Sequence, residues 1–159
     1  MRSDPVVPGA FMKLTSFLVR EAIRPALQAT SRDAAIIEMI QSIHAAGKLP
    51  GADLADITSA VLRREQLGST GIGRGIAIPH SRHRDVPNLV GTIALAPNGL
   101  NFDSIDGEPV QVLFLLISPD QQPGPHLRAL EAVVQKTKDD ALLAKLRAAK
   151  TADEIWELL

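Results

Sequence analysis

The stretch GIGRGIAIPHSRH, Gly71 to His83, decides how this chain is read. Glycines stand at 71, 73 and 75, the apolar run Ile76-Ala77-Ile78 follows, and Pro79 leads into His80, with His83 three residues on. Glycine lets the backbone adopt positive φ and come close to other atoms where a Cβ would collide. Pro79 fixes its own φ and holds Ile78 extended, so the segment reads as a short strand presenting His80 at its carboxyl end, where open α/β sheets gather their chemistry. The glycines do not form a known phosphate loop. Gly71-x-Gly73-x-Gly75 is not the G-x-G-x-x-G of a dinucleotide site and follows a helix instead of a strand, and no Gly-Lys-Ser/Thr comes after it. Taken alone the glycines favour tight backbone packing at the sheet end, so function must be argued from the residues around them.

Upstream the pattern is helical. Thr30-Ser31-Arg32-Asp33 resembles a capping box, and Ile36, Ile40 and Ile43 follow on one face until Gly47. A second helix begins near Asp53, buries Leu54, Ile57 and Val61, carries Arg63, Arg64 and Glu65, and ends at Gly68 as a C′ residue. Downstream, Leu89 to Ala96 and Val110 to Ser118 read as strands. The latter, VQVLFLLIS, is apolar almost throughout and is expected to be central and covered on both faces. An Asp106-Gly107 turn introduces it. Pro123-Gly124-Pro125 then breaks the chain, and His126 opens a helix whose Leu127, Leu130 and Val134 are expected to face inward. One helix around Leu142, Leu143 and Leu146 and another started by Thr151-x-x-Glu154, with Trp156, complete the chain. Helices before, between and after strands predict an α/β (α+β) domain, a mixed sheet with helices packed on it.

Composition narrows the function. The 159 residues suit one domain, and 17 Lys+Arg against 18 Asp+Glu leave a net charge of -1. That removes the broad cationic field by which nucleic acid or an anionic membrane would be held. The absence of cysteine excludes thiolate metal sites and thiol nucleophiles and fits a cytoplasmic protein. No apolar run has a bilayer-spanning length, so no membrane insertion is expected. Met1 to Phe11 carry two prolines and a glycine without periodicity and read as a flexible tail ahead of a domain from Met12 to Leu159.

Of the four histidines, His44 falls in the last turn of a helix, where a cation suits the dipole. His83 lies in the polar run SRHRD and reads as solvated. His126 stands in a first helical turn, where unpartnered N–H groups welcome an anion. Two histidines in anion-friendly settings suggest phosphoryl chemistry. The rival is a three-histidine zinc hydrolase built from His80, His83 and His126, against which Pro79 and the polar loop argue. Ser81 lacks the G-x-S-x-G elbow of a serine nucleophile.

The runs LRREQLGSTGIGRGIAIPHSR, NFDSIDGEPVQVLFLLISP and HLRAL together resemble enzyme IIA of the phosphoenolpyruvate-dependent sugar phosphotransferase system, of the fructose/mannitol and nitrogen-regulatory type. The resemblance extends from Met12 to Leu159. It implies a mixed five-stranded sheet flanked by helices on both faces. It marks His80 in G-I-A-I-P-H as the phosphorylated residue, His126 as the second active-site histidine and Arg64 as the active-site arginine. It implies transfer from an HPr-type phosphocarrier to a IIB component or use of the phosphorylated form as a regulatory state, with no metal or organic cofactor. The regulatory branch is slightly favoured, with IIB or membrane components expected on separate chains. In the implied chemistry Nε2 of His80 attacks while a backbone carbonyl holds Nδ1–H, and Arg82 and Arg84 sit on the docking rim. Two features depart from the family: Ser81 stands where glycine is usual, and VVQKTKDD is unusually polar. The first leaves open a regulatory binding module with weak transfer.

Overall fold

A computed structural model describes residues 12–49, 51 and 53–159. The expected tail, Met1 to Phe11, lies outside the described residues. Among the described residues five α-helices, α1 (Arg32–Ala45), α2 (Leu54–Leu67), α3 (Pro123–Lys136), α4 (Asp140–Ala148) and α5 (Ala152–Glu157), surround the strands β1 (Gly71–Gly73), β2 (Ile76–Ala77), β3 (His80–His83), β4 (Val90–Leu100) and β5 (Val110–Pro119).

β5 organises the sheet. It runs antiparallel to β4 and parallel to β2 and β3, and β1 pairs with β2 at the edge. Every residue of β5 except Gln111 is buried, as its apolar sequence requires of a strand covered on both faces. Side chains alternate across it. Leu113, Leu115 and Ile117 pack with Ile36, Ile40, Ile43, Ile57 and Val61 of α1 and α2. Phe114 and Leu116 pack with Ile76, Ile78, Val133, Leu143, Leu146 and Ile155 on the other face. Each such side chain, fully buried, contributes roughly 1.5–3 kcal/mol. Helices therefore cover both faces of a mixed five-stranded sheet.

The glycine stretch is a hairpin. Arg74 and Gly75, both at positive φ (59° and 78°), form the two-residue connection between β1 and β2, the geometry that suits the twist of paired strands. Gly71 packs so closely on the Ser104 side chain that a Cβ would collide with it. These glycines build the turn and the edge contact.

β2 and β3 lie on one line. Ile76 pairs with Val112, Ala77 with Leu113, His80 with Leu116 and Ser81 with Ile117, a constant offset of 36 along β5. Pro79, with no N–H, interrupts the ladder, although its carbonyl still accepts from the Leu116 N–H at 3.0 Å. His80 consequently sits at a mid-strand interruption and not at a strand's carboxyl end. The sequence HSRH carries no apolar alternation, which is why β3 is not visible as a strand beforehand.

Other elements shift from expectation in small ways. The cap of α1 is Ser31, which accepts from the Ala34 N–H, one residue beyond Thr30. Gly68 ends α2 with extended backbone (φ 172°) and not with the left-handed conformation of a C′ glycine. Pro123-Gly124-Pro125 forms the first turn of α3 and does not break the chain, since proline suits the start of a helix. The buried face of α3 is Ala129, Ala132 and Val133, which join the cluster containing Phe114 and Leu116. Leu127 and Val134 are exposed and Leu130 is half-buried. Of the stripe expected to face inward, Leu130 packs against this cluster while Leu127 and Val134 turn outward, and the smaller residues meet the sheet.

Candidate functional site

The even positions of the β2–β3 line point toward α3. Ile76 and Ile78 bury in that direction, and His80 follows them. Its ring meets the ring of His126, the fourth residue of α3, with centroids 5.4 Å apart and planes tilted by 51°. The two histidines share an open cleft of about 500 Å³ with Arg64, Ser81, Arg82, Asp120, Pro123, Leu127 and Leu130. The three site residues expected from sequence, His80, His126 and Arg64, therefore meet in one place.

His80 Nδ1 lies 2.7 Å from the Ile78 carbonyl oxygen. A carbonyl only accepts, so Nδ1 carries the proton and Nε2 keeps its lone pair. Burial holds this ring's pKa below the ordinary imidazole value, and the positive charge of Arg64 pushes the same way, against the opposing effect of the Ile78 bond. The pKa of His126 is lowered to about 4, first by burial and then by the charges of His80 and Arg82. His126 Nδ1 is 2.6 Å from the Ser118 hydroxyl. Both shifts favour the neutral imidazole.

Arg64 stands in the last turn of α2, where its Nη1 donates to the Gly68 carbonyl at 2.8 Å. That bond satisfies a helix-end carbonyl and lays the guanidinium along the cleft. Arg82 Nη1 donates to the Asp120 carbonyl at 3.3 Å. Neither guanidinium forms an ion pair with a carboxylate among the described residues. Two guanidinium groups outside any ion pair among the described residues, beside two imidazoles, make a cleft suited to an anion. The anchor beneath Arg64 is Glu65, buried, whose carboxylate accepts from the Thr70 N–H at 2.7 Å and the Thr70 hydroxyl at 2.6 Å.

The expected row of free N–H groups at the start of α3 is absent. Pro123 and Pro125 have none, and the His126 N–H donates to the Gln122 carbonyl at 3.4 Å, which leaves Gly124 alone. The anion preference rests on side chains.

His83 is not solvated. It is buried, and its Nε2 lies 2.5 Å from Asp56 Oδ2 of α2 while its Nδ1 accepts from the Asp85 N–H at 3.0 Å. It occupies the opposite face of the strand from His80, because 80 and 83 differ by an odd number of residues. Both its nitrogens are engaged, so the set His80, His83 and His126 does not converge. Among the described residues no other group of three His, Cys, Asp or Glu is placed to hold a metal. His44 is exposed in the last turn of α1, as expected. Arg84 does not line the cleft; it lies beside Asp56 and Asp85. Ser118 and Asp120 were not foreseen. Only the polar Ser118 at the end of the apolar run hints at the former.

Among the described residues no helix is long and apolar enough to cross a membrane. Residues 16–159 match the family described as the phosphoenolpyruvate-dependent sugar phosphotransferase system, EIIA 2. The nitrogen regulatory protein of Bradyrhizobium diazoefficiens is 34% identical over 148 residues, covering 93% of this chain and 95% of that one. The crystal structure of the nitrogen regulatory protein IIA-Ntr from Neisseria meningitidis superposes with a TM-score of 0.82 at 28% identity, over 90% of this chain and 96% of that one. The fold is shared also with the mannitol enzyme IIA of Escherichia coli, solved in complex with phosphorylated mannitol enzyme IIB, at a TM-score of 0.73 and 20% identity, over 87% and 93% of the two chains. With the match spanning almost all of the described fold, the chain belongs to the EIIA 2 family of the phosphoenolpyruvate-dependent sugar phosphotransferase system and is a phosphotransferase component.

Proposed function

We propose that His80 carries the phosphoryl group, received from an HPr-type phosphocarrier and passed to a IIB component or held as a regulatory state. The observation that carries this is the 2.7 Å contact of Nδ1 with the Ile78 carbonyl, which leaves Nε2 as a neutral nucleophile facing the cleft. Nε2 attacks the phosphorus of the carrier's phosphohistidine in line. The new N–P bond forms as the carrier's N–P bond breaks, and the carrier imidazole leaves. The His80 ring becomes more positive as its lone pair is committed, and the Ile78 carbonyl stabilises the Nδ1–H that shares this charge. Arg64 offsets the charge on the phosphoryl oxygens, and His126 donates to one of them. No metal or organic cofactor takes part.

The names of the relatives support the regulatory branch: two of them are nitrogen regulatory proteins aligned over nearly their whole length. Here the phosphorylated and free states would be read by a cytoplasmic target. The mannitol enzyme IIA, whose structure was solved with phosphorylated IIB, supports a IIB-like partner.

Incubation with phosphoenolpyruvate, enzyme I and a phosphocarrier tests the reading. One acid-labile, base-stable phosphate per chain is expected, and none on His80→Ala. Label retained by that variant overturns the assignment of His80.

A further inference from the structure

We propose that Ser118 is a positioning residue that fixes His126 as the tautomer with its proton on Nε2, so that the second histidine can donate to the phosphoryl group but cannot accept it. The inference rests on the proposed phosphoryl transfer and adds to it the reason that one of two adjacent neutral imidazoles is the acceptor.

Ser118 closes the apolar run of β5, pairs with Arg82 of β3 and is fully buried. Its even position turns it to the same face as Phe114 and Leu116, under α3. There its hydroxyl lies 2.6 Å from His126 Nδ1, and among the described residues it makes no other hydrogen bond. A hydroxyl beside a ring nitrogen can donate or accept. If Ser118 accepted a proton from Nδ1, its own O–H would be buried without a partner, at a cost of about 1–3 kcal/mol. If it donates, both groups are satisfied. Serine therefore gives its proton to Nδ1, and the neutral ring keeps its hydrogen on Nε2, the nitrogen left to the cleft. Burial makes the neutral ring the relevant species, because the His126 pKa is lowered to about 4.

The two rings then show the cleft opposite faces of the same chemistry. The Ile78 carbonyl accepts from Nδ1–H of His80 and leaves a lone pair on Nε2. The Ser118 hydroxyl donates to Nδ1 of His126 and leaves an N–H on Nε2. A lone pair attacks phosphorus and an N–H binds its oxygens. Exchange of one buried partner, a carbonyl for a hydroxyl, separates nucleophile from donor.

The test is ¹⁵N NMR of the imidazole nitrogens in the unphosphorylated protein, combined with transfer rates. His126 is expected to show a protonated Nε2 and a bare Nδ1. Ser118→Ala, which removes one oxygen, is expected to move His126 toward the other tautomer and to slow transfer several-fold, with the His80 signals unchanged; Ser118→Thr restores both. A protonated Nδ1 on His126 in the parent, or an unchanged tautomer in Ser118→Ala, overturns the proposal. The spectra need no phosphocarrier. If His80 takes up no phosphate, the transfer reading fails while the tautomer result still stands or falls by itself.

Discussion

His83 Nε2 meets Asp56 Oδ2 at 2.5 Å, and this contact ties β3, which carries His80, to α2, which carries Arg64. The pair lies on the face of the strand opposite the cleft, so it acts on the site only through the two elements it joins. His83→Ala removes that bond and the one from the Asp85 N–H to Nδ1. A loss of stability is expected, because a part-buried hydrogen bond to a carboxylate goes and the Asp85 N–H loses its acceptor. Urea unfolding measures it through the midpoint at constant slope. Phosphate uptake at His80 should persist at a reduced rate, because the site keeps its side chains and loses its alignment. Unchanged stability would show that the contact contributes nothing.

The contrast between His80 and His83 shows how much was legible in the sequence. Pro79 and the apolar run before it announced His80, and the helical pattern of α2 carried Arg64, which only the family resemblance singled out for the site. His83 could not be read, because a four-residue strand of polar residues has neither alternation nor apolar content. On α3 two apolar stripes compete: Leu127, Leu130 and Val134 on one side, Ala129, Ala132 and Val133 on the other. Periodicity is equally good for both, and only the shape of the sheet beneath decides. Pro123 and Pro125 look like breakers in a sequence and are helix starters in the fold. Ser118 was hidden for another reason. Its partner is eight residues away across a turn, and nothing local marks a buried hydroxyl as paired with a particular ring.

The pH dependence of transfer follows from the direction of the His80 shift. In the proposed transfer acceptance requires neutral His80, whose pKa lies below the ordinary value of 6.5, chiefly through burial. The acceptance rate should therefore fall with decreasing pH along a curve whose inflection lies below 6.5. An inflection at or above 6.5, measured with a carrier of known titration, would contradict this. Stability moves in the same window. Between 6.5 and about 4 the unfolded chain binds a proton at His126 that the folded chain refuses, so folding weakens as pH falls through that range and this contribution levels off beneath about 4. His126→Ala should show a shallower decline of the urea midpoint.

Leu127, 57% exposed, and Arg82 border the cleft from opposite sides, on α3 and β3. An apolar side chain left in solvent beside the cleft is suited to docking the partners of the proposed transfer. Leu127→Asp should raise the apparent KM for the phosphocarrier, costing at least about 1 kcal/mol in docking if the residue is an anchor, with folding stability unchanged. Arg82→Glu should slow transfer most at low salt, since a rim charge acts on encounter. Arg84→Glu should do less, because Arg84 lies beside Asp56 and Asp85 and outside the cleft. Equal effects of the two reversals would place the docking face elsewhere.

The role of His126 yields the sharpest kinetic prediction. Its ring is 5.4 Å from that of His80, close enough for both to face one phosphoryl group, and its place within α3 holds it there. The start of the helix offers almost no free N–H to substitute for it, since Pro123 and Pro125 have none and the His126 N–H is bonded to Gln122. Loss of one preorganised donor costs on the order of 100-fold, about 2.7 kcal/mol. Arg64 and Arg82 remain to bind charge, so His126→Ala should still take phosphate at His80, but slowly, while His80→Ala takes none. Stopped-flow transfer from a labelled carrier, followed by peptide mapping of the label, distinguishes the outcomes. A His126→Ala protein as fast as the parent would mean that the guanidinium groups stabilise the transferring phosphoryl without it. Label recovered on His126 in the parent would mean that the two rings had been assigned in reverse.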